Sequence, residues 1–269
     1  MIELSREIRF ALASTGELES QRESKNSWSA FPASNRIVPH LILKAVVTGQ
    51  PNPDTGYLCN ITVIDAALRE FVTGDLIPSI QDVTVAQLPT AEQVTRRAWT
   101  RMTHSVPTGV ELVNVSLHLS PQLGYLIESR NPNMVELTQQ FEFSAAHRLH
   151  CESLSAEENL ATFGKCNNPA GHGHNYVVEV TVARDSMGPD DTVIEIGSLA
   201  KIVNRNVIDR LDHKNLNEDI EHFSNINPSV ENIAAAVFDW LRGDIESAGC
   251  DLKSVKVFET PKTWATYTG

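Results

Sequence analysis

The sequence predicts an α+β protein made of two similar halves, each a four-stranded antiparallel sheet with two helices on one of its faces. Three observations carry this. The order strand, strand, helix, helix, strand, strand occurs twice; Pro, Asp and Gly cluster between alternating apolar runs; and a polar stretch, Arg130-Asn131-Pro132-Asn133, falls midway. A chain of 269 residues has room for two domains with cores of their own, expected at 1–132 and 133–269.

Each element has a counterpart in the other half. The apolar strand Ile8 to Leu12 matches Phe141 to Ala145, and both run into long polar loops. Leu41 to Thr48, followed by the turn residues Gln50 to Gly56, matches Tyr176 to Ala183, followed by Ser186 to Asp190. Helical spacing occupies Val63 to Val72 and Ser198 to Ile208. Second helices start at Pro89-Thr90-Ala91-Glu92 and Pro228-Ser229-Val230-Glu231, with Thr90 and Ser229 as N-caps and a glutamate in the first turn. Strands Leu112 to Leu119 with Gly124 to Glu128, and Ser254 to Glu259 with Trp264 to Tyr267, close the two halves. Open sheet edges invite association, and closing such sheets into a barrel removes them, so a homo-oligomer is expected.

Composition narrows the function. A formal net charge of -12 argues against nucleic acid or an anionic membrane as partner. The N-terminal residues hold no apolar run suited to a signal or a membrane span, and a cytoplasmic location is the default expectation. Cys59, Cys151, Cys166 and Cys250 are far apart, which suits free thiols in a reducing compartment.

The chemistry is concentrated between Cys166 and Tyr176. His172 and His174 are two apart at the start of an expected strand, so both imidazoles face one side while Gly173 faces the other. An isolated H-x-H is more often decoration than a metal site. Here His147 ends the strand Phe141 to Ala146, and a neighbouring strand could bring it to the same face. Three neutral imidazoles leave the fourth tetrahedral position of Zn²⁺ open, the catalytic pattern, whereas structural zinc is closed by four ligands. Cys166, six residues before His172, is either an inert thiol or one activated by a nearby cation. Asp212-His213 adds a carboxylate and an imidazole able to relay a proton, although such a pair alone means little. Arg148 and Lys165 are the nearby basic residues for an anionic substrate, a role that exposed cations seldom have.

From Phe141 to Gly269 the chain resembles the 6-pyruvoyl-tetrahydropterin synthase family. The resemblance runs through His147-Arg148-Leu149-His150, Leu154 to Leu160 and Phe163-Gly164-Lys165-Cys166 to the histidine pair. It implies two T-fold (tunnelling-fold) units that assemble into β-barrels, with active sites between subunits. It further implies zinc on His147, His172 and His174, proton transfer by Cys166 with Asp212 and His213, and a pterin ring anchored by Glu259. The implied reaction turns 7,8-dihydroneopterin triphosphate into 6-pyruvoyl-tetrahydropterin, a lyase reaction that eliminates triphosphate.

Three rivals compete with that reading. One is the enzyme of the same fold that makes 6-carboxytetrahydropterin for queuosine, from which the five-residue spacer between Cys166 and His172 argues away. Another is a non-catalytic pterin-binding protein with a structural zinc, and a third is an unrelated three-histidine hydrolase. The first half lacks the chemistry: Ala13-Ser14, Ile37, Pro39 and Ile77-Pro78 are expected where His147, His172, His174 and Asp212-His213 stand in the second. His40, His104 and His118 are scattered, so the first half is expected to be a degenerate, zinc-free unit that completes a barrel or walls a pocket.

Overall fold

The computed structural model describes residues 1–12, 31, 37–184 and 192–269. Two compact units emerge, one of Met1–Leu137 joined by 192–193, the other of Thr138–Arg184 with Ile194–Gly269. The expected turn at Ser186 to Asp190 and the Ala13-Ser14 position lie outside the described residues.

In the first unit, β1 (Ile2–Ala11) pairs antiparallel with β2 (His40–Gly49), and alternate β2 residues Leu41, Leu43, Ala45 and Val47 are buried. Asn60 caps α1 (Ile61–Phe71) by accepting from the Thr62 N–H, and Ile64, Leu68 and Phe71 form its buried stripe. The helix widens into a π turn at Val72–Leu76 and ends in the short α2 (Ile77–Ser79). Thr90 caps α3 (Ala91–Thr103) with Gln93 reciprocating, as the sequence predicts for the cap. Strands β3 (Val110–Ser120) and β4 (Leu123–Glu128) complete the sheet in the order β1-β2-β3-β4. Both long helices lie on one face, their apolar stripes joining Phe10, Leu43, Val115 and Leu117 in one core.

The second unit follows the same order. It opens with β5 (Val135–His147), and where the sequence suggested only loop there is a helix, α4 (Ala156–Phe163), held by a Ser155/Glu158 capping box. Its apolar content is too sparse for a periodic signal, and Leu160 is exposed. Next come β6 (His172–Arg184), α5 (Ile196–Val203), a π turn at Asn204–Ile208 and α6 (Asp209–Leu211). A two-residue strand β7 (Lys214–Asn215) pairs in parallel with β5 and leads into the one-turn α7 (Leu216–Asp219). Ser229 caps α8 (Val230–Ser247), whose buried face includes Ile233, Val237, Leu241 and Ile245. Hairpin β8 (Asp251–Thr260) and β9 (Thr263–Tyr267) ends the chain, giving the order β5-β6-β8-β9.

The two units share their irregularities as well as their order. A π turn follows the helix after the second strand of each, α1 and α5. Register shifts fall at Val46/Val47 and at Thr181/Val182, and again at His118/Ser120 and Phe258/Thr260. Counting from these bulges puts Ile37 and Pro39 at the places of His172 and His174, and Leu119 at that of Glu259. One sequence expectation needs correction. Ile77-Pro78 lie inside α2, and the residues that follow it as Asp212-His213 follow α6 are Ile80-Gln81. Helix α1, with 11 residues against 8 in α5, displaces the count by three. Among the described residues no helix is long and apolar enough to cross a membrane.

Candidate metal centre

The centre is built on two neighbouring strands. On β5, Phe143, Ala145 and His147 turn to the buried face by strand alternation; on β6, His172, His174 and Tyr176 do the same. Tyr176 is fully buried, stacks on Phe143 with centroids 4.9 Å apart, and meets the edges of the His147 and His174 rings at 6.1 and 5.6 Å. This aromatic floor restricts the imidazoles to few orientations.

A third element supplies a carboxylate. Phe258 pairs with Trp264 and Thr260 with Thr263, so Glu259 is the extra residue of a bulge, a device that re-aims a side chain. Its Oε1 lies 3.3 Å from His147 Nε2 and 3.5 Å from His174 Nε2, and His147 and His172 Nε2 are 3.0 Å apart. Ligand atoms of His147, His172, His174 and Glu259 all lie within 4.8 Å of one another.

The residues fit a tetrahedral ion. Nitrogen ligands at about 2.0–2.1 Å from zinc stand roughly 3.3 Å from each other, close to the spacings seen. His147 Nδ1 donates to the Pro228 carbonyl at 2.7 Å, which fixes the tautomer and leaves the Nε2 lone pair directed into the cluster. His174 Nε2 is buried without a hydrogen-bond partner among the described residues. Nitrogen and oxygen donors together suit zinc or a similar divalent cation.

Burial is the main cause holding His147 and His172 below the usual imidazole range; for His147 the Pro228 contact opposes it. Both therefore stay neutral, the ligating form, further into acid than a free imidazole. Unfolding restores the ordinary value, so below about pH 6.5 the unfolded chain binds protons that the folded chain refuses. Stability is complete above that pH and falls as pH drops toward the depressed folded values. We expect the urea midpoint of chelator-treated protein to fall between about pH 7 and 5.5. A flat profile there would mean that these rings are not buried and neutral.

Gly171 has a φ of +69°, and a Cβ there would come within 3.1 Å of the His147 carbonyl, so glycine lets the two loops approach at the metal end of β6. Cys166 lies on the 3₁₀ turn Gly164–Asn167 just before. Burial first, and the Glu259 carboxylate second, push its thiol up, and its carbonyl accepts the Leu149 N–H at 2.9 Å, two residues beyond His147. Asp212 and His213 make contacts of their own. Asp212 Oδ1 accepts the Ser144 N–H at 2.8 Å and its Oδ2 meets His213 Nδ1 at 2.8 Å. The Ser144 N–H is the first cause holding the Asp212 carboxyl low, ahead of His213. His213 takes a left-handed φ of +57°, uncommon outside glycine, and its exposed ring opens onto a hollow of about 520 Å³ shared with Ser144, Gly173, His174 and Asn175. Among the described residues no hydrogen bond, ion pair or ring contact joins Cys166 to Asp212 or His213 within one chain.

Of the two basic residues, Arg148 lines a cleft of about 590 Å³ that also holds Glu152 and Glu218, and its guanidinium is taken by the carbonyl and side chain of Asn167. Sequence reasoning missed the Pro228 carbonyl, since a backbone atom 81 residues from its partner leaves no residue-type signal. It also missed the nearness of Glu259 to the histidines. A glutamate flanked by strand residues carries no sign that a bulge will turn it.

The fold and this cluster together define a class: an α+β protein whose candidate metal centre, able to hold an ion, is assembled from three strands of one antiparallel sheet. Sequence comparison narrows the class. The model of the family 6-pyruvoyl tetrahydropterin synthase matches residues 136–269, and the chain belongs to that family. A Drosophila melanogaster protein named 6-pyruvoyl tetrahydrobiopterin synthase is 44% identical over 137 residues, covering 49% of this chain and 79% of that one. Its Homo sapiens namesake is 40% identical over 134 residues, covering 50% and 91%. The solved Caenorhabditis elegans 6-pyruvoyl tetrahydropterin synthase is 40% identical, covering 51% of this chain and 96% of that one, at a TM-score of 0.47.

Proposed function

We propose that the chain is a zinc-dependent lyase that converts 7,8-dihydroneopterin triphosphate to 6-pyruvoyl-tetrahydropterin with loss of triphosphate. The observation that carries this reading is the convergence of His147, His172 and His174 ring nitrogens, with the turn that carries Cys166 tied by its carbonyl to Leu149, two residues beyond His147. Zinc held there would act as a Lewis acid on a side-chain hydroxyl and acidify the adjacent C–H. Cys166 takes that proton. Departure of triphosphate leaves an enol that becomes one ketone, and His213, oriented by Asp212, moves the protons by which the carbinol next to the ring becomes the other; its C–H electron pair passes into the ring C=N bond, which is thereby reduced, so no external redox cofactor is needed. Glu259 accepts hydrogen bonds from the donor edge of the pterin ring, a charge-assisted contact of about 1.5–3 kcal/mol.

Residues 1–132 are on this reading a degenerate copy of the catalytic unit 133–269. The shared π turns and bulges support it, as do Ile37, Pro39 and Leu119 at the ligand places. We further propose a cytoplasmic homo-oligomer whose sheets close into barrels and bring His213 of one chain toward Cys166 of another. Incubation with 7,8-dihydroneopterin triphosphate and analysis of the product tests the reaction. A 6-carboxylated product would assign the queuosine branch instead, and no turnover would leave only binding. About one zinc per chain is expected, and two would overturn the zinc-free first unit.

A second reading has its own support. Glu259 within 3.5 Å of two of the histidines could close the centre as a fourth ligand, the pattern of a structural site. Glu259→Gln separates the two. A pterin anchor predicts intact zinc with pterin binding weakened about 10–100-fold, since 1.4 kcal/mol is tenfold. Loss of zinc with pterin affinity unchanged would establish the structural role.

A further inference from the structure

β5 ends as a strand at His147, and residues 148–151 continue as irregular backbone. Backbone N–H groups that leave a ladder need other acceptors. All four find one. Arg148 N–H donates to Asn217 Oδ1 at 2.7 Å, His150 N–H to Asn227 Oδ1 at 2.9 Å, and Cys151 N–H to Asn159 Oδ1 at 2.8 Å. The fourth, Leu149 N–H, donates to the Cys166 carbonyl at 2.9 Å.

The three asparagines come from three different elements: α4 for Asn159, α7 for Asn217 and the loop before α8 for Asn227. A primary amide both accepts and donates, so it can replace a missing strand neighbour. Asn217 Nδ2 returns a bond to the Arg148 carbonyl at 2.9 Å, and Asn159 Nδ2, on a fully buried side chain, returns one to the Cys151 carbonyl at 2.8 Å. Asn227 has a second connection. Its neighbour Pro228 supplies the carbonyl bound to His147 Nδ1, so one dipeptide grips both the ring and the chain three residues beyond it.

We infer that Asn159, Asn217 and Asn227 are positioning residues of the metal centre: by clamping 148–151 they fix His147 Nε2 and the Cys166 loop at one separation. The inference rests on reading the histidine cluster as a metal centre. A merely architectural role would change stability alone, whereas a positioning role must also change the ion's surroundings.

The test uses the full chain, stripped of metal and titrated with Co²⁺, whose visible bands report coordination geometry, with zinc affinity measured by chelator competition. Asn217→Ala and Asn227→Ala are expected to weaken zinc about 10–100-fold, as loss of a ligand's outer partners does, and to change the Co²⁺ bands. Asn227→Asp, which keeps the acceptor for His150 N–H, should restore most of both. Asn206→Ala, at an asparagine that serves Ile202 and Asp244 instead, should match the parent. If an alanine variant does not fold, Asn217→Asp keeps the acceptor for Arg148 N–H and loses the donor to its carbonyl. A changed Co²⁺ band there supports the inference. Parental bands and affinity in the folded variants, whatever their melting temperature, would overturn it. A parent chain that binds neither ion would instead overturn the metal centre itself, and the inference with it.

Discussion

His172→Ala is expected to leave a folded chain that neither holds zinc nor turns over substrate. The ring is one of three that converge, and its Nε2 lies 3.0 Å from that of His147. Loss of even an outer partner of a ligand weakens zinc about 10–100-fold, so loss of the ligand itself should exceed about 100-fold. His172 suits the test better than His147, which is almost fully buried and also anchors Pro228, so that its removal would disturb packing too. Metal content after dialysis, beside a circular dichroism spectrum, checks the result. Stoichiometric zinc in His172→Ala would remove the ring from the ligand set.

Cys166→Ala should show the reverse pattern, with zinc kept and turnover lost. A positioned acid or base contributes about 10²–10⁴-fold, which sets the expected fall in kcat. Burial and the Glu259 carboxylate both disfavour the thiolate, so the protein alone keeps the sulfur protonated near neutral pH. A nearby divalent cation reverses that balance. Alkylation at Cys166, followed by peptide mapping to separate it from Cys59, Cys151 and Cys250, should therefore be faster in the zinc-loaded chain than in the stripped one. Full activity in Cys166→Ala would exclude the thiol as the base.

Placement of the dyad bears on where the reaction is completed. His213 is held in a left-handed conformation by two bonds to Ser144 of β5, N–H to carbonyl at 2.6 Å and, through Asp212, carboxylate to N–H at 2.8 Å. Such strain persists where surrounding structure fixes it, and it is common at sites of function. Among the described residues no hydrogen bond, ion pair or ring contact joins the ring to Cys166, and the proposed mechanism therefore draws His213 from another chain of an oligomer.

Local rules made much of this molecule legible. Strand alternation put His172 and His174 on one face, cap chemistry located the starts of α3 and α8 at Thr90 and Ser229, and turn residues separated the strands. Those features depend on neighbours within a few residues, and so does the family motif around Cys166. Helix α4 was not legible, because a short capped helix with few apolar residues has no periodic stripe. The Asp212-His213 counterpart was displaced because α1 runs to 11 residues where α5 has 8, a difference in helix length that no residue type marks.

The sequence by itself thus determined the α+β order and the shared face of His172 and His174, since each is specified by spacing along the chain, while His147, on a different strand, was offered only as a residue that a neighbour could bring there. Only the tertiary structure decided that a bulge turns Glu259 onto the histidines, that the Pro228 carbonyl sets the His147 tautomer, and that three distant asparagines grip 148–151. Those contacts join residues as many as 112 positions apart, from Glu259 to His147. Which polar group meets which at such separations is fixed by how strands and loops pack, and neither period nor propensity encodes it.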